Sequence, residues 1–275
     1  MTIAISLKVN DGIVLATDSA ATIFAQPIEN QPTGVINVYE NAEKLFNLFK
    51  GKPVGAITWG SGSIGSSSIS TLMKDFREIQ KINENVTGLD IKEITENLAK
   101  FIYVEKYLPT YASWVENSRP RLGFIVAGYS QEDSFAQEWK FEINEGKLVG
   151  PELVRKNDET GLSWNGEPEA ISRLVLGYST KFPRVLQDCG IDEETIKKII
   201  KYSNKNIAIP FVIAPMPIKD AIDVAEFLVD TTIKFSKFTP GAPTVGGAID
   251  IAAITKHEGF KWIKRKYYYN SGINP

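Results

Sequence analysis

The chain has 275 residues, 43% of them hydrophobic and 11% aromatic, which is enough apolar material for a large buried core. Thirty-one Lys+Arg against 33 Asp+Glu give a net charge of -2, and the basic residues are scattered, so neither nucleic acid nor an anionic membrane surface is expected as a partner. Cys189 is the only cysteine and His257 the only histidine, which excludes an internal disulfide and a thiolate metal cluster.

From the N-terminus, Ile3, Ile5, Leu7 and Val9 fall on one side of an extended chain and Ala4, Ser6 and Lys8 on the other, the period-two pattern of a half-buried strand. This opening is not a basic segment followed by an apolar run, so no signal peptide is expected. No uninterrupted apolar stretch reaches the length of a membrane span, and a cytoplasmic location is expected. The turn NDG then leads into IVLATD as the return strand. A three-residue loop Asn10-Asp11-Gly12, with Gly12 at positive φ, is expected because it sets Asp18 on the face of Thr2; a two-residue Asp11-Gly12 loop would set it on the opposite face.

Residues 23–39, with Pro27, Pro32 and Gly34, read as a loop or a divergent hairpin extension. AEKLFNL and PVGAITWG read as strands. A Gly/Ser run after Gly60 leads into a helix ending near Ile82, and a second helix spans DIKEITENLAKFIYVEKYL. RLGFIVAGYS, EWKFEINEG and KLVGPELV return to strands, EPEAISRLVLGYSTKF and IKDAIDVAEFLVDTTIKF to helices, and GGAIDIAAITKHEGFKWIKRK closes as a hairpin. No repeat, linker or low-complexity tract interrupts residues 1–275, which are expected to form a single α+β domain. Two stacked antiparallel sheets flanked by helices, a four-layer αββα sandwich, satisfy this order.

Thr2 is the chemically distinctive residue. A hydroxyl is a weak nucleophile unless a base adjoins it, and removal of Met1 would leave Thr2 with its own α-amine as that base. An α-amine titrates at about 7.7–8.0 in model peptides, so part of it is unprotonated at neutral pH. Asp18, on the expected shared face, and Lys44, in NAEKLF on an adjacent strand, could set an ammonium held by a carboxylate beside the threonine oxygen, which would favour the alkoxide.

In order along the chain, TIAISLKVNDGIVLATDSAAT, NAEKLF, AITWG and VGGAIDIAAIT resemble segments of proteasome β subunits and of their simpler bacterial relatives, the HslV-like and Anbu-like peptidases. The resemblance covers nearly the whole chain. It implies an N-terminal nucleophile hydrolase with an αββα sandwich, in which Thr2 is the nucleophile, Asp18 orients the lysine and Lys44 tunes the threonine. Gly60 matches the glycine whose N–H is an oxyanion donor, and Ala20 and Thr58 fall near the substrate pocket. No metal or organic cofactor is implied; a peptide or unfolded-protein substrate is, with self-association as a ring or helical array and an unfoldase partner left unnamed.

The chain departs from that pattern in TPGAPTVGG, where Ala242 and Val245 stand at the places of an aspartate and a serine that support the threonine amine. Asn165, in SWNGEP, aligns with a third supporting residue, and Asn165 or Thr244 would have to compensate. The departure keeps open a catalytically silent subunit with an assembly role, and the fold equally admits an amidase or transpeptidase.

Other motifs point elsewhere. GSGSIG, residues 60–65, matches the dinucleotide pattern G-x-G-x-x-G, but hairpin strands rather than a βαβ frame precede it. His257, in the polar TKHEGFK, is expected as a solvated turn residue, and Cys189 as a small packing residue. The run Tyr267-Tyr268-Tyr269 fits either a contact between subunits or a terminal strand packed on its own domain.

Overall fold

The computed structural model describes residues 2–24, 35–82, 89–267 and 269. Met1, Tyr268 and the Pro27-to-Gly34 segment lie outside the described residues.

Strand β1 (Ile3–Val9) returns as β2 (Gly12–Thr17), followed by β3 (Ala21–Phe24), β4 (Val35–Tyr39), β5 (Leu45–Asn47) and β6 (Val54–Gly60). Inside the Gly/Ser run a small pair, β7 (Ser63–Ile64) and β8 (Ser67–Ser68), precedes helix α1 (Ile69–Ile82). Helix α2 (Ile91–Ala99) starts at Asp90, whose Oδ1 accepts the backbone N–H groups of Lys92 at 2.8 Å and Glu93 at 3.1 Å, satisfying two donors that the first turn leaves open. It continues as a π-helical stretch, Lys100–Tyr107, and a last turn, α3 (Leu108–Thr110). Strands β9 (Leu122–Gly128), β10 (Gln137–Asn144), β11 (Lys147–Leu153) and β12 (Gly161–Gly166) follow. Helices α4 (Glu169–Leu176), α5 (Phe182–Asp188), α6 (Glu193–Asn206) and α7 (Ile218–Phe238) precede the closing hairpin β13 (Asp250–Thr255) and β14 (Gly259–Lys264). Two helices were expected where four stand, and β12 lies in a segment to which no element was assigned. Among the described residues no helix is long and apolar enough to cross a membrane.

Two five-stranded sheets result, ordered β12-β1-β2-β13-β14 and β11-β10-β9-β6-β5, with antiparallel pairing at each step. Ile3, Ile5, Leu7 and Val9 pack in one core cluster with Ala225, Leu228 and Val229 of α7. Ala4, on the other face of β1, joins Leu15, Ile57, Trp59 and Ile125 in a cluster drawn from both sheets. Strand β1 is therefore buried on both faces rather than one, because it lies inside its sheet between two pairing strands and under two packed layers.

Ser6 and Lys8 are consequently buried polar groups that need partners. Ser6 donates its hydroxyl hydrogen to Glu138 of β10, and Lys8 Nζ donates to the carbonyls of Asn157 at 2.7 Å and Lys156 at 3.3 Å. Arg155 Nε lies 2.7 Å from Glu138 Oε2, a contact of opposite charges without hydrogen-bond alignment. Burial raises the Glu138 carboxyl pKa and outweighs the opposing pull of Arg155, Ser6 and Lys8. The Ser6 bond crosses from one sheet to the other, and the rest tie the loop between β11 and β12 to them.

The first turn corrects the expected loop. Val9 pairs with Gly12, so the loop is the two residues Asn10 and Asp11, and Gly12 does not have positive φ. Glycine is required there by a close approach instead: a Cβ on Gly12 would lie 2.5 Å from the carbonyl oxygen of Ile254 on β13.

Candidate active site

The site is built where β2 ends. With Ala4 opposite Thr17, continuing the register sets Asp18 opposite Ile3 and not on the face of Thr2. The chain leaves the ladder at Asp18, and the carboxylate, fully buried, collects four donors. Its Oδ1 accepts from Lys44 Nζ at 2.7 Å and from the Ile3 N–H at 3.0 Å; its Oδ2 accepts from the N–H groups of Ala20 at 3.0 Å and Gly246 at 3.1 Å. Asp18 thus meets the residue after Thr2 through the backbone rather than by sharing its face.

Lys44 stands just before β5, so its bond to Asp18 joins the two sheets. Its side chain is 7% exposed. Burial lowers the Lys44 pKa below the ordinary lysine value, and this outweighs the attraction of Asp18.

Thr2 is 4% exposed and is held from the other side by β12. Its carbonyl accepts from the Glu167 N–H at 2.7 Å, and Gly166, opposite Ile3, sits at φ +94 with its α-carbon close beneath that carbonyl. A Cβ there would fall 1.9 Å from the Thr2 oxygen. Gly166→Ala should therefore push Thr2 away from Asp18 and lower the melting temperature, through a clash and a left-handed backbone together. An unchanged melting temperature in that variant would show that the loop adapts.

Of the remaining expected residues, Ala20 and Thr58 border the ion pair. The Thr58 N–H donates to the Lys44 carbonyl at 3.0 Å, while the Thr58 hydroxyl is committed to the Gly123 carbonyl at 2.9 Å. Gly60 ends β6 at φ +91, where a Cβ would meet the Arg121 carbonyl at 2.4 Å. Asn165 lies on β12 opposite Ala4, hence on the face that alternation gives to Thr2, and is half-buried.

The loop before β13 divides. Thr244 is buried, its carbonyl accepting the Thr22 hydroxyl at 3.4 Å. Ala242 is exposed, and Val245, 1% exposed, packs in the cluster that contains Ile3 and the α7 side chains. Position 245 is therefore occupied by apolar packing, and the loop reaches the site through the Gly246 backbone. Sequence reasoning missed Gly246, Gly166 and Glu167, which act through backbone N–H groups or close approach. Only the glycine pairs in TVGG and the NG of SWNG hinted at them.

His257 is exposed in the β13–β14 turn. Cys189 is exposed as well and does not pack, because it follows the end of α5 at the surface. The GSGSIG segment joins antiparallel strands to α1, which removes the parallel frame that a dinucleotide site requires.

No family model matches the sequence, and no curated protein matches it. Among solved structures, an Anbu (Gly-1) mutant from Hyphomicrobium sp. strain MC1 is similar at TM-score 0.50 and 13% identity, over 98% of this chain and 90% of that one. At that identity the likeness is one of fold, and it spans both sheets and the helices between them.

Proposed function

We propose that the protein is an N-terminal nucleophile hydrolase that cleaves peptide or related amide bonds through an acyl-enzyme on Thr2, after removal of Met1. The observation that carries this reading is the buried Lys44–Asp18 pair at 2.7 Å, whose carboxylate also binds the N–H of the residue after Thr2. The α-amine of Thr2 takes the hydroxyl proton, the oxygen attacks the substrate carbonyl, and the amine returns the proton to the leaving nitrogen. Lys44, held by Asp18, lowers the cost of the developing alkoxide. Gly60 is assigned the oxyanion donor, Ala20 and Thr58 the substrate pocket, and Asn165 and Thr244 the support of the amine.

The fold is read as one four-layer αββα domain, acting on a peptide or unfolded-protein substrate as a homo-oligomer in the cytoplasm; the likeness to the Anbu structure supports the fold of this reading. A silent assembly subunit is the second reading, favoured by Val245 and Ala242, which supply no hydrogen-bonding side chain. Intact mass separates the two. The purified protein is expected to lack Met1 and to gain the mass of a peptide epoxyketone on Thr2; retention of Met1 throughout ends the hydrolase reading.

A further inference from the structure

A cleft of about 210 Å³, lined by Glu43 and Leu45 on either side of Lys44 in the chain, opens where the terminal strands β5 and β14 of the two sheets come beside α1. Leu45, Met73 and Trp262 give it apolar wall. Its charged lining is strongly unbalanced for a chain of net charge -2, with five cationic side chains facing the carboxylates of Glu43 and Asp250.

Both carboxylates are already engaged. Asp250 Oδ1 accepts the Lys266 N–H at 3.0 Å and its Oδ2 is paired with Lys266 Nζ. Glu43 accepts the Ser70 hydroxyl and lies 3.5 Å from Lys74 Nζ. Burial would raise the Glu43 pKa, yet it is lowered, because the Ser70 bond and the cations Lys74 and Arg265 outweigh burial.

Three cations remain without a carboxylate ion pair among the described residues: Lys50, Arg77 and Arg265. The Nε of Arg77 is buried and no described atom accepts its hydrogen, an arrangement that folded proteins avoid unless something else supplies the acceptor. Arg265 is held over the Trp262 ring at 4.6 Å and the Tyr267 ring at 5.0 Å, which fixes its planar fork at the cleft without neutralising it.

We propose that this cleft binds a small multivalent oxyanion, a polyphosphate or a polycarboxylate, gripped by Arg77, Arg265 and Lys50 against the Trp262 wall. Guanidinium forks match the oxygen spacing of both groups, and three unpaired cations call for more than one negative charge on the ligand. The inference does not rest on the chemistry assigned to Thr2.

The full-length protein is titrated with inorganic triphosphate and, separately, with citrate at physiological ionic strength, by calorimetry and by tryptophan fluorescence. Saturable single-site binding is expected for at least one anion, and the stronger of the two fixes the ligand class. Affinity should fall roughly tenfold in Arg265→Gln, whose side chain is exposed and whose loss leaves the core intact, and by a similar factor in Arg77→Gln. Lys201→Gln, exposed on α6, should leave it unchanged, and Trp262→Phe should remove the fluorescence change while keeping the heat. No saturable binding of either anion, or equal affinity in the Arg77→Gln/Arg265→Gln double variant, overturns the proposal.

Discussion

Thr2→Ala is expected to abolish amide-bond cleavage while the protein stays folded. The substitution removes a hydroxyl and a methyl from a residue whose backbone contacts, through its carbonyl to Glu167 and through Ile3 to Asp18, are independent of the side chain. The melting temperature should therefore move by only a few degrees, and circular dichroism should be unchanged. Turnover of a fluorogenic peptide should fall by about 10³-fold or more, because nucleophile and base act as a unit and neither works alone. Thr2→Ser keeps both hydroxyl and amine and should retain measurable activity. Wild-type turnover in Thr2→Ala would sink the assignment.

The second large effect is expected at the ion pair, and it should differ between the partners. Lys44→Met leaves Asp18 with three backbone N–H donors, so the fold should survive while turnover falls by about 10²–10⁴-fold for want of the cation. Asp18→Ala instead leaves Lys44 buried and uncompensated and frees three N–H groups, which should cost about 3–5 kcal/mol in urea unfolding. The pH dependence has a definite sign. The Lys44 pKa is lowered in the folded state, so the unfolded chain binds more protons between the folded and unfolded values, and stability rises with pH across that window. Removing Asp18 takes away the main opposing attraction and widens the window downward. The Asp18→Ala penalty should therefore be larger at pH 6 than at pH 9, and an equal penalty at both would show that Lys44 is not the group responsible.

Much of the architecture was legible in the sequence because it is written in local periodicity. Strand β1, although not the half-burial that its alternation suggested, the helical spacing of Ile222, Ala225 and Val229 in α7 and the closing hairpin emerge as read. Helix α6 was missed although it carries local signals: Asp192 caps it through the Thr195 N–H at 3.0 Å, and Glu193–Lys197 and Glu194–Lys198 are spaced for i,i+4 pairs. It buries only Ile196, so its apolar stripe is weak. Strand β12 was missed for a related reason, being a half-buried edge strand rich in glycine and polar residues that pairs only with β1.

By itself the sequence determined which residues are available for the chemistry proposed. A threonine behind the initiator, one aspartate at the end of the second strand and one lysine before the fifth are fixed by order along the chain, and Cys189 and His257 leave few rivals. Only the tertiary structure decided how they meet. The turn proved to be Asn10-Asp11, which places Asp18 off the face of Thr2, and the carboxylate reaches the site by leaving the ladder and gathering N–H groups from Ile3, Ala20 and Gly246. Backbone donors have no residue type to reveal them, and a hydrogen bond spanning 228 positions, from Gly246 to Asp18, leaves no local pattern. For the same reason Val245 could be placed on a polar support position by alignment, and only the packing of β1 against α7 showed that the hydrophobic core had taken it.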